Sequence, residues 1–135
     1  MDKKIVVHFQ DGKIEKGSSY VFFPYKDRFH LTLLDQPSNQ KPMEISLPQL
    51  KAIFFVKDFV GQKDHQKIKG FAGIEKSPNG KKVVVQFKDG ELLYGFTQSY
   101  SANRSGFFLL PADQQGNNER VFVVQSSVTK VEFPD

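Results

Sequence analysis

Shifted by 78 residues, the sequence lies on itself: Lys3–Phe55 aligns with Lys81–Phe133 without a gap, and 14 of the 53 pairs are identical. The identities fall at places that decide structure. Lys3-Lys4 matches Lys81-Lys82, Val6-Val7 matches Val84-Val85, Phe9 matches Phe87, and Asp11-Gly12 matches Asp89-Gly90. Gly17 matches Gly95, Phe29 and Leu31 match Phe107 and Leu109, and Phe55 matches Phe133. An internal repeat limits the fold before any other argument, because one supersecondary plan must serve twice. The repeat divides the chain into a first unit at 1–56, a linker at 57–80 and a second unit at 81–135.

Each unit reads as five short strands. Ile5, Val7 and Phe9 alternate with Lys4, Val6 and His8, the period-two pattern of a strand with one buried face. Asp11-Gly12 predicts a two-residue hairpin turn. The return strand reaches a bend at Gly17, where the lack of a side chain permits a bulge or a sharp turn. Further strands are expected around residues 29–34, 43–47 and 52–56, with Pro48 forcing one tight turn before the last. The second unit repeats the plan at 83–87, 92–96, 107–110, 121–125 and 130–133. The expected fold is all-β: two tandem small five-stranded SH3-like (Sm-like) barrels from an internal duplication, each nearly closed so that few strand edges stay open. In the linker, Gly61, Gly70, Gly73 and Ser77-Pro78-Asn79-Gly80 argue against a long helix. Phe59, Ile68, Phe71 and Ile74 argue for a segment packed on the barrels.

Composition narrows the classes of function. No apolar run approaches the roughly 18 residues of a membrane span, so no membrane partner is expected. Cysteine is absent, which excludes disulfides and thiolate-bound metals and fits a cytoplasmic location. The net charge of +4 is divided as +2 over residues 1–56, +2 over 57–80 and zero over 81–135. That spread differs from the basic stripe of a nucleic-acid footprint.

The strings VVHFQDGKIEKG and FHLTLL resemble the opening of the Sm-like fold, whose members form rings and bind RNA. That family's RNA pocket uses an Asp about six residues and an Asn about ten residues after the bend glycine. Phe23 and Asp27 stand there in the first unit, Ser101 and Ser105 in the second. Leu50-Lys51 and Val128-Thr129 replace the family's Arg-Gly. The resemblance therefore implies the fold and not the pocket. The segments KAIFFVKDF and YSANRSGFFLLPADQQGNNERVFVV resemble an uncharacterised bacterial domain associated with PilZ-type cyclic-di-GMP signalling proteins. Arg28, Arg104 and Arg120 do not form that receptor's Arg-x-x-x-Arg pair, so the resemblance implies a companion module.

No catalytic residue, metal site or cofactor motif is legible. His8, His30 and His65 lack metal-ligand spacing and are expected to be solvated. Asp11 and Asp89 belong to turns, where their side chains cap backbone groups. The expectation is a non-catalytic binding or assembly module without a cofactor, engaging a protein partner or itself, with nucleic acid as the alternative ligand. Two sets of residues are candidates for contact. The loops after each bend interleave aromatic and basic residues: Tyr25, Lys26 and Arg28, then Tyr100 and Arg104. Rings of this kind stack bases or peptide side chains while the cation meets an anion, although ordinary loop solvation would use the same residues. The second set comes from comparing outward strand positions. Glu15, His30, Thr32, Glu44 and Ser46 become Leu93, Phe108, Leu110, Phe122 and Val124 in the second unit. A sheet face in water keeps polar residues, so these apolar positions require cover from the linker, the first unit or a second chain.

Overall fold

The computed structural model describes residues 3–19, 27–34, 41–57, 80–98, 100–101, 103–112 and 117–134. The expected loop residues Tyr25 and Lys26, His65 and nearly all of the linker lie outside the described residues. The described chain is all-β, and its ten strands run antiparallel. In the first half these are β1 (Lys3–Phe9), β2 (Ile14–Ser19), β3 (Arg28–Leu33), β4 (Met43–Ser46) and β5 (Leu50–Val56). In the second half they are β6 (Lys81–Phe87), β7 (Leu92–Thr97), β8 (Gly106–Pro111), β9 (Asn118–Val124) and β10 (Val128–Glu132). A single 3-10 turn precedes the last strand of each half, at Leu47–Gln49 and at Gln125–Ser127.

The strand order is β10-β6-β7-β8-β9-β5-β1-β2-β3-β4, one open sheet in which β5 pairs with β9. Two tandem barrels were expected; the described strands form one open sheet whose pairing runs from one half into the other. The reason lies in the two strands at the junction. Ile53 and Phe55 of β5 enter a core with Ile5, Val7, Phe29, Leu31 and Ile45 of the first half. Ala52, Phe54 and Val56, on the opposite face of β5, enter a second core with Val83, Val85, Phe107 and Leu109. β9 does the same in reverse, sending Phe122 and Val124 to the first core and Val121 and Val123 to the second. Strands apolar on both faces must be covered on both, and mutual pairing also satisfies their edge N–H and C=O groups.

Matched strands keep matched registers. Ile5 stands opposite Gly17 as Val83 stands opposite Gly95, and Phe29 opposite Ile45 as Phe107 opposite Val123. The hairpin turns also correspond, but each is one residue longer than expected. The Gly12 N–H donates to the Phe9 carbonyl and the Phe9 N–H to the Lys13 carbonyl, closing a three-residue turn with only Gly12 at positive φ (95°). Gly90 repeats this at φ 92°. The Asp11 carboxylate accepts from the Lys13 N–H at 2.9 Å, and Asp89 from the Glu91 N–H at 3.0 Å. At Gly17 and Gly95 the need for glycine is steric. A Cβ on Gly17 would lie 2.1 Å from the Thr32 carbonyl oxygen, and one on Gly95 would lie 2.4 Å from that of Leu110. These two crossings are where β2 meets β3 and β7 meets β8.

Candidate binding cleft

The first residue of β6, the end of β7 and the segment after β10 converge at one corner of the second half. Gly80 enters β6 at φ 115°, and a Cβ there would lie 2.3 Å from the Thr97 carbonyl oxygen, so the backbones of 80 and 97 pass in close contact. Thr97 is fixed from within, its hydroxyl donating to the Phe108 carbonyl at 2.9 Å. Beyond β7 the chain brings Tyr100 back over the second core, its ring edge-on to Phe107 at 4.9 Å. The other side of Tyr100 meets Phe133 at 5.5 Å. Gly80, Lys81, Thr97, Gln98, Tyr100 and Phe133 line a cleft of about 330 Å³. Its lining is mixed, with the rings of Tyr100 and Phe133 beside polar Thr97 and Gln98 and the Lys81 ammonium as the charged group; it suits capture of a flat side chain.

A polar cluster lies at the junction of the halves. Lys51 of β5 reaches Asp89 at 2.8 Å and Glu91 at 2.6 Å, both in the β6–β7 hairpin, and its ammonium lies 4.8 Å from the Phe87 ring centroid. Burial works against the Lys51 charge, but the hydrogen bonds to Asp89 and Glu91 outweigh it and hold the pKa above the ordinary lysine value. The Lys51 hydrogen bond, with the Glu91 N–H, holds Asp89 below the usual carboxylate range. His8 stands nearby with its ring 4.6 Å from Phe54. Expected to be solvated, it is instead half-buried, because β1 lies beside β5 and His8 sits opposite Ala52. Burial first, then the Lys51 charge, push its pKa down. Salt bridges account for this cluster, and it offers a ligand little space.

The candidates from the sequence are dispersed. Arg28 is exposed at the start of β3 and pairs with Glu44 at 3.2 Å, while Tyr100 and Arg104 lie in the other half. Tyr100 is at the cleft, and Arg104 is exposed in a turn whose N–H reaches the Ser101 carbonyl. Phe122 and Val124 lie inside the first core, with Phe108 packed against it. Leu93 packs against the second core, and Leu110 is half-buried on β8. His30 is exposed, 3.9 Å from Glu44. Sequence reasoning missed Phe133, Lys81, Lys51 and the environment of His8. Phe133 and Lys81 carried a signal, as identities shared with Phe55 and Lys3.

A family profile matches residues 1–133. The chain belongs to DUF6982, a family of unknown function. No curated protein and no solved structure matches the chain. Among the described residues of this DUF6982 chain, no helix is long and apolar enough to cross a membrane, and no group of three or more His, Cys, Asp or Glu could hold a metal ion.

Proposed function

We propose that the chain is a non-catalytic tandem β-barrel binding module whose ligand is a protein segment held at the Tyr100–Phe133 cleft. The observation that carries this reading is Phe133, a large aromatic 44% exposed, standing against Tyr100 at the edge of a cleft of about 330 Å³. Covering the exposed part of such a ring contributes about 1 kcal/mol toward anchoring a short segment. The two halves are read as SH3-like (Sm-like) units from one duplication. The gapless repeat, the matched registers and the matched hairpin hydrogen bonds support this.

Selection from a displayed library of random twelve-residue peptides tests the reading. Peptides enriched on the parent protein are expected to lose at least tenfold in affinity on Phe133→Ala and on Tyr100→Ala, with both variants folded by circular dichroism. Binding of single-stranded RNA with a steep salt dependence, lost on neutralising Lys26, Arg28 and Arg104 together, would favour the nucleic-acid alternative. No enrichment of any peptide, alongside such RNA binding, removes the protein-ligand reading.

A further inference from the structure

Phe133 and Phe55 occupy the same place in their halves, and the structure shows what covers one and leaves the other 44% exposed. Phe55 lies on β5 opposite Arg120 of β9, with the Arg120 guanidinium 4.3 Å from its ring centroid and 4.7 Å from that of Phe108. β9 thus adds as a strand to β5 and sets a cation on the matched phenylalanine. Phe55 is 4% exposed as a result. Phe133 directly follows β10, the strand equivalent to β5, and β10 ends the sheet. Among the described residues nothing pairs with the outer edge of β10. We infer that this edge accepts an extended segment of another protein, antiparallel to β10, with an Arg or Lys placed over the Phe133 ring and a flat side chain in the Tyr100 cleft.

The junction between the halves is the template for this geometry, since strand addition supplies backbone hydrogen bonds and alternate side chains supply specificity. A cation over a partly desolvated ring adds to both. A second copy joined through its other outer strand fits less well. That strand is β4, which is matched to β9, and Pro42 stands at the position of Arg120. Proline offers neither the N–H that continues the ladder nor the cation, and β4 runs only four residues against seven in β9.

This inference rests on the binding-module reading, and its test separates the two. Library-selected twelve-residue peptides, synthesised without isotope label, would be titrated into labelled full-length protein and followed by NMR. The expected result is shift changes concentrated in β10 and at Tyr100 and Phe133, new hydrogen-exchange protection on the β10 amides, and one basic position common to the peptides. Replacing that residue by norleucine should weaken binding about fivefold to the parent and much less to Phe133→Leu, which keeps apolar contact without the ring. Selected peptides that map to another surface leave the module reading standing and overturn strand addition at β10. Full protection of the β10 edge amides in the free protein also overturns it, because the chain then fills its own edge. So does replacement of peptide binding by monomer–dimer exchange that Phe133→Ala abolishes, which would make the occupant a second copy. Failure to select any peptide overturns strand addition at β10, and alongside salt-dependent RNA binding it overturns both readings.

Discussion

Lys51 Nζ lies 2.8 Å from Asp89 Oδ2, so the last strand of the first half is tied to the hairpin turn of the second. The Lys51 side chain is only 12% exposed and completes the link through Glu91. Lys51→Met keeps the apolar stem near Phe87 but leaves the two carboxylates without their cation. Because those carboxylates are more than half exposed, water screens much of the interaction, and the expected loss is about 1 kcal/mol. Lys51→Ala also removes the stem and should cost roughly 1–2 kcal/mol. Urea denaturation of the two variants beside the parent checks the order.

His8 gives the junction a pH response. Its folded pKa is lowered, by burial first and by Lys51 second, so the unfolded chain binds the proton more readily. The stability that depends on neutral His8 is fully present above about pH 6.5, the unfolded value. It falls away as pH drops through that value toward the folded pKa. The His8 ring resonance should titrate below about pH 6.5, and melting temperature should decline between about pH 7 and pH 5. In His8→Gln that part of the decline should vanish.

Because β5 and β9 each feed both cores, the halves should unfold together. Phe122 belongs by sequence to the second half and is fully buried in the first core. Phe122→Ala is expected to cost about 3–5 kcal/mol. The loss should be seen equally in hydrogen exchange of β1 and of β6 amides. Glu44→Lys, at the matched position in the first half, breaks an exposed ion pair with Arg28 and an exposed contact with His30. It should change stability by less than about 1 kcal/mol. Separate transitions for the two halves in Phe122→Ala would contradict the shared junction.

Gln125 opens the second 3-10 turn, and its side-chain oxygen is buried without a hydrogen-bond donor among the described residues. The matched residue of the first half is Leu47, buried in the first core. Gln125→Leu removes an unpaired acceptor and should raise stability by about 1 kcal/mol, read as a higher urea midpoint with an unchanged slope. A lower midpoint would show that the amide has a partner after all.

The sequence by itself determined the plan of each half. Alternation in β1 and β6, the Asp-Gly turns, the bends at Gly17 and Gly95 and the tight turn at Pro48 are local signals. Each acts within a few residues, so each is legible without knowing what lies opposite. The expected two-residue turn lacked only its third residue, because an Asp-Gly pair serves both hairpin types. The apolar outward positions of the second half were also legible, but not what touches them. Tertiary structure alone decided that β5 meets β9, and from that pairing follow the cation over Phe55 and the Lys51–Asp89 bridge. It decided too that Phe133 stays 44% exposed while its twin Phe55 is buried. Strand periodicity states which face is apolar and carries no address for a partner strand about 70 residues away. That address is set by which edges, once both halves have folded, gain most from covering each other.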